Sequence, residues 1–204
     1  MLKLDARTKL LNAAIEVVRA QGYAATSVDE LCKKAGVTKG AFFHHFETKD
    51  ALAVAAANHW SETTSALFAQ APYHAPADPL DRVLAYIDFR RELLRGTPAE
   101  FTCFVGTTVQ EAFAANDDIR AACEQSIFGH AATLADDISQ AMRKYKIKGG
   151  WTAMSLALHT QAVLQGAFIL AKAKGSAAIA VDSIDHLRRY IELLFNRPRK
   201  EKTK

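Results

Sequence analysis

Apolar residues recur at three- and four-residue spacing through most of the chain. Leu4, Leu10, Leu11, Ala14, Ile15 and Val18 form the first such stripe, and Gly22 stops it. Ser27 and Glu30 stand at capping-box spacing, which predicts a second helix from that point to about Ala35, where Gly36 breaks it. Thr38 is placed to cap a short third helix through about His45, and Thr48 a long fourth helix from Lys49 to about Gln70. Pro72, Pro76 and Pro79 mark a loop. Further helices are predicted at about 79–95, 99–114, 117–145, 150–174 and 181–195, punctuated by Gly96-Thr97-Pro98, Lys148-Gly149-Gly150 and Gly175-Ser176. No stretch alternates apolar and polar residues as a strand would, so the predicted fold class is all-α, with about nine helices.

The helices are of two kinds. Three short ones crowd into residues 1–50, a helix-turn-helix head. Long ones with large aromatics fill a helical body at 51–196, and a basic tail closes the chain at 197–204. Charge follows the same division. Residues 1–50 hold 8 Lys/Arg against 6 Asp/Glu, residues 51–187 hold 11 against 14, and residues 188–204 hold 7 against 2. Basic ends around an acidic middle point to a nucleic-acid-facing end. The tail itself reads as a solvated terminus. The sequence opens Met-Leu-Lys-Leu-Asp-Ala-Arg-Thr-Lys, without the apolar core of a signal peptide, and no apolar run reaches the roughly 18 residues of a membrane span. The expected location is the cytoplasm. Three cysteines (Cys32, Cys103 and Cys123) with no CxxC fit neither a disulfide framework nor a zinc site, and each reads first as a small buried hydrophobe.

Two short helices joined by Ala35-Gly36-Val37-Thr38 have the makings of a helix-turn-helix, with Val28, Leu31, Ala35 and Val37 facing the first helix. The second helix of such a unit enters the major groove by its N-terminal residues. Here those begin Thr38-Lys39-Gly40: a hydroxyl, a cation and a residue without bulk, ahead of free N–H groups that suit phosphate. Lys49 adds a second cation. Phe42 and Phe46 read as head core rather than DNA contacts. The His44-His45 pair points in two directions on a helix and lacks a third ligand, so no metal is expected.

Gly22-Tyr23-Ala24-Ala25-Thr26-Ser27-Val28-Asp29-Glu30-Leu31 and Ala35-Gly36-Val37-Thr38-Lys39-Gly40-Ala41-Phe42-Phe43-His44-His45-Phe46-Glu47-Thr48-Lys49-Asp50-Ala51-Leu52 resemble the DNA-binding head of the TetR family of transcriptional regulators, over about residues 7–53. The resemblance implies an all-helical homodimer, usually a repressor, whose C-terminal body binds a small ligand. It places DNA contacts on Ser27 or its neighbours Thr26 and Val28, and on Thr38, Lys39, Gly40, Phe43, His45 and Lys49. The family commonly has Tyr at position 42 or 43. Phe43 lacks that hydroxyl and keeps only an apolar contact with sugar or a thymine methyl.

The body is expected to dimerise and to sense. Ile184, Leu187, Ile191 and Leu194 form an a/d-like stripe on the last helix. Small residues on the previous one, Ala153, Ala157, Ala162, Gly166, Ala167 and Ala171, permit close approach. The resemblance implies that these two helices pair into a four-helix bundle; both stripes also suit intrachain core. For a small apolar or electrophilic ligand the candidate lining is Trp60, Phe89, Cys103, Phe104, Thr107, Phe128, His159 and Gln165, each of which also fits plain core. His130 and Gln161 are further polar residues on apolar helices. Thr102-Cys103-Phe104-Val105-Gly106 through Glu111 is similar to a Gly-Cys-x-x-Gly-x-x-x-x-Glu segment of a TetR subgroup, some of whose members sense electrophiles or oxidants through that cysteine; Thr102 replaces the Gly.

The leading reading is therefore a ligand-released transcriptional regulator binding a two-fold DNA operator. A sensor acting through Cys103 is one alternative, and a helical protein-binding scaffold without specific DNA affinity is another. No Walker loop, nucleophile elbow, His-Glu-x-x-His or dinucleotide fingerprint is present, so no enzyme and no cofactor are expected. Asp117-Asp118 and Asp136-Asp137 read as helix-dipole partners or solvated faces.

Overall fold

A computed structural model describes residues 5–197, so Leu4 of the first stripe and all of the 197–204 basic tail except Arg197 lie outside the described residues. Ten α-helices follow one another, and no strand occurs among the described residues: α1 (Ala6–Gln21), α2 (Val28–Ala35), α3 (Lys39–His45), α4 (Lys49–Ala69), α5 (Pro79–Glu92), α6 (Pro98–Phe101), α7 (Phe104–Ala112), α8 (Asp117–Lys144), α9 (Ala153–Lys174) and α10 (Ala178–Leu194). Pro72–His74 adds a 3-10 turn. The all-α expectation holds.

Most boundaries are set by the capping residues that predict them. Ser27 and Glu30 close both halves of a capping box on α2, and Thr38 accepts the Ala41 N–H at 3.1 Å to start α3. Gly36 ends α2 in the left-handed region at φ 64, where a side chain would be strained. One boundary was not expected. The helix anticipated over 99–114 is two, α6 and α7, broken at Thr102-Cys103. Cys103 has extended backbone and its thiol accepts the Gly106 N–H at 3.4 Å, capping α7 in the manner of a serine.

The chain divides into two compact units, the first ending at Ala69 but also holding Thr102–Ile127, the second holding Gln70–Phe101 and the chain from Phe128 onward. In the first unit, α1 packs on α2, α3, α4 and α7. Leu10, Leu11, Val18, Leu31, Phe42, Leu52, Phe104 and Ile119 share its buried core, with Val28, Ala35 and Val37 half-buried at the edge. In the second, α10 packs on α9 and α5. By length and composition alone α9 could cross a membrane, but Leu156, Ala157, Leu164 and Ala171 are buried and make it a core helix. The stripe expected to dimerise faces inward instead. Ile184, Leu187 and Ile191 are buried in their own chain and Leu194 is half-buried. Helix α10 exposes Ile179, Tyr190 at 44% and Leu193 at 67%, and α9 exposes Ile169 and Leu170.

Candidate nucleic-acid interface

The first turn of α3 stands out from the head. Thr38, Lys39 and Gly40 are all exposed. Lys39 forms an ion pair with Asp29 at 2.6 Å, which holds its ammonium above the ordinary lysine value. Solvent screens an exposed pair of this kind, so a phosphate can take over the lysine at little cost. Gly40 has ordinary helical backbone, and a Cβ there would meet only the Thr38 hydroxyl at 3.7 Å. Glycine inside a helix costs roughly 0.5–1 kcal/mol relative to alanine. Neither the backbone nor the packing within this chain requires a glycine there.

Phe43 is 57% exposed, edge-on to the buried Phe42 at 5.1 Å. A phenyl ring in water beside a lysine and two histidines is unusual for a head whose other aromatics, Phe42 and Phe46, are core. His45 is half-buried, its ring 4.9 Å from that of the exposed His44. Among the described residues no three His, Cys, Asp or Glu are grouped to hold a metal. Ser27 is exposed but engaged, its hydroxyl donating to Glu30 Oε2 at 2.9 Å.

Thr26 and Lys49 turn inward. Thr26 is buried and its hydroxyl donates to the Gly22 carbonyl at 2.6 Å. The Lys49 ammonium donates to the carbonyls of Tyr23 at 3.1 Å and Thr26 at 3.0 Å, and lies 4.3 Å from the Tyr23 ring centre. Both side chains hold the α1–α2 turn. Of the expected contacts, Ser27, Thr38, Lys39, Gly40 and Phe43 are exposed and His45 is half-buried.

The proposed ligand lining is not brought together as one wall. Phe104 is fully buried, and the cavity it borders has about 10 Å³, room for a single water. Trp60 lies 6.3 Å from it, under the Arg19 guanidinium, and Thr107 donates to the Cys103 carbonyl at 3.0 Å. These belong to the first unit. In the second, Phe89 packs 5.8 Å from Tyr73 and Gln165 is half-buried. Phe128 and His159 are exposed, His159 against the Tyr190 ring at 5.2 Å.

What the second unit does assemble is a polar cluster inside its helices. The Tyr86 hydroxyl lies 2.9 Å from His130 Nε2 and accepts from Arg90 at 3.3 Å and Gln161 at 3.3 Å. The Arg90 guanidinium also sits 5.9 Å from the Phe168 ring. Burial first, and the Arg90 charge second, push the His130 imidazole down to about 3, so it is neutral at physiological pH. The four residues come from α5, α8 and α9. His130 and Gln161 show in the sequence as polar breaks in apolar helices, whereas Tyr86 and Arg90 look like ordinary surface spacing.

Residues 10–56 match the sequence profile of bacterial regulatory proteins of the tetR family, and residues 79–187, over half of the chain, match the tetracyclin repressor-like C-terminal domain. The transcriptional regulator AcuR of Cereibacter sphaeroides is 32% identical over 117 residues, 57% of this chain and 53% of AcuR, so the chain spans about half the length of that relative. Among solved structures, a TetR-family regulator from Agrobacterium tumefaciens superposes with a TM-score of 0.79 at 18% identity, covering 91% of this chain and 96% of the other. The reduced form of Escherichia coli NemR does so at 0.73 and 23% identity, covering 90% and 95%. Matched by family profiles at both ends and by the fold throughout, the chain belongs to the TetR family of transcriptional regulators and is not an enzyme.

Proposed function

We propose that this regulator binds a two-fold-symmetric DNA operator as a cytoplasmic homodimer, acts as a repressor and is released by a small ligand. Residues 1–50 read the DNA, and residues 51–196 dimerise and sense. Gly40 carries the reading: a helix glycine that nothing in the chain requires, flanked by exposed Thr38, Lys39 and Phe43, leaves room for a duplex backbone. Two such helices about 34 Å apart would fit successive major grooves. On α10 the exposed Tyr190 and Leu193 offer apolar surface for the second copy. The cluster of Tyr86, Arg90, His130 and Gln161 supplies convergent polar groups among apolar helices, as ligand recognition needs. Fluorescence anisotropy with a duplex selected from a random library tests this. Specific binding several kcal/mol tighter than to scrambled DNA, falling with salt, is expected. Equal, weak binding to both duplexes would favour the scaffold alternative.

A second reading has its own observation. The Cys103 thiol is half-buried at the start of α7, where it caps the helix and accepts the Gly106 N–H. Sensing of an electrophile through Cys103 predicts that alkylation releases DNA and that Cys103→Ser resists it. Equal release from both proteins would remove this reading.

A further inference from the structure

The corner between α7 and α8 carries two polar side chains that DNA reading and ligand sensing leave unused. Glu111 reaches the α1–α2 turn, where its Oε2 accepts the Ala24 N–H at 2.6 Å. The turn is shaped to receive it. Gly22 has φ 93, and a Cβ there would collide with the Glu111 carboxylate. Asn116 uses both ends of its amide. Its Oδ1 accepts the Ile119 N–H at 3.0 Å, capping the start of α8, and its Nδ2 donates to Asp50 Oδ2 at 2.9 Å. The other oxygen of Asp50 accepts the Tyr23 hydroxyl. Lys49, next to Asp50, holds the carbonyls of Tyr23 and Thr26.

Every group in this network belongs to the first compact unit. One side of it is the α7–α8 corner. The other is the turn that delivers Ser27, the cap of α2, together with the first turn of α4. The packing of α2 and α3 on α1 fixes where the exposed end of α3 points. Charge-assisted bonds of 2.6 to 2.9 Å are short and directional, so a displacement of about 1 Å at the corner breaks them.

We propose that Glu111 and Asn116 are positioning residues for DNA binding: they latch the α7–α8 corner to the α1–α2 turn and to Asp50, and opening the latch lowers DNA affinity. This rests on the DNA-binding reading above. Glu111 is the residue that ends the Cys103-to-Glu111 segment, so a cysteine-capped helix and the latch are two ends of one element.

The test uses the full chain and the duplex that the wild type selects. Glu111→Ala removes the acceptor, and Glu111→Gln restores a neutral one. Asn116→Asp keeps the α8 cap and turns the donor into a carboxylate facing Asp50. DNA affinity is expected to fall about tenfold in Glu111→Ala and Asn116→Asp, within the 5- to 150-fold range usual for coupling between sites. Thermal midpoint and oligomeric state should stay near wild type, with most of the affinity recovered in Glu111→Gln. Amide exchange at Ala24 should quicken in Glu111→Ala. Affinity within twofold of wild type in both variants overturns the latch and leaves DNA binding standing. A loss of affinity that merely tracks a fall in thermal midpoint also overturns it. If the wild type selects no duplex, the DNA-binding reading falls and takes the latch with it.

Discussion

His130 makes the second unit acid-sensitive over a range that can be calculated. In the unfolded chain the imidazole titrates near 6.5; folded, it is pushed down to about 3. Between those values the unfolded state binds a proton that the folded state refuses, so stability is lost as pH falls. Each pH unit within the window is worth about 1.4 kcal/mol. Lowering the pH from 7 to 5 therefore costs about 2 kcal/mol from this residue, and carrying it below 3 costs about 5 kcal/mol in all. Any folded-state value below 4 leaves the pH 5 figure almost unchanged. Asp78, held at about 2 by Lys144, Tyr145 and the backbone N–H groups of its helix start, loses its contribution only below the ordinary carboxylate value of 3.8 and stays out of the measurement. Urea denaturation at pH 7, 6 and 5, at fixed protein concentration, would compare wild type with His130→Gln. The glutamine variant starts less stable, because it disturbs the bond to Tyr86. Its stability should nevertheless fall by about 2 kcal/mol less over the two units. Parallel pH dependence in the two proteins would refute the buried neutral imidazole.

Gly40→Ala should raise the stability of the head by up to about 1 kcal/mol while weakening operator binding, read by thermal melting and anisotropy on the same sample. Lys39→Ala should reduce the salt slope of DNA binding by about one counterion and leave the melting temperature close to wild type. Leu193→Asp should dissociate the proposed dimer in sedimentation equilibrium without unfolding it; Leu187→Asp, buried in the chain's own core, should unfold the protomer. Gly36→Ala should cost about 1–2 kcal/mol, because its left-handed backbone is strained for any Cβ.

Local chemistry was the most legible part. Ser27 with Glu30, Thr38, Gly36 and Gly22 each act within a few residues, and helix boundaries follow from them directly. The α6–α7 break escaped because its cap is a thiol, a weak acceptor that seldom substitutes for a hydroxyl. The exposure of Ser27, Thr38, Lys39, Gly40 and Phe43 follows from the same local chemistry. The inward turn of Lys49 does not, because its charge is spent on carbonyls 26 and 23 positions earlier in the chain. Periodicity showed that α10 has an apolar stripe of Ile184, Leu187 and Ile191 but not what would cover it. The buried cluster of Tyr86, Arg90, His130 and Gln161 spans 75 residues, and no spacing rule reaches that far.

The inward turn of the α10 stripe sets the order of assembly. In the proposed homodimer, a chain that seals Ile184, Leu187 and Ile191 against its own α9 and α5 covers this stripe without a second copy. On that proposal, docking is a separate, concentration-dependent event between folded protomers. Two differently tagged populations, mixed at native conditions, would exchange partners without passing through an unfolded state. A protomer carrying a damaged head could therefore enter assemblies made by intact ones and disable them in trans.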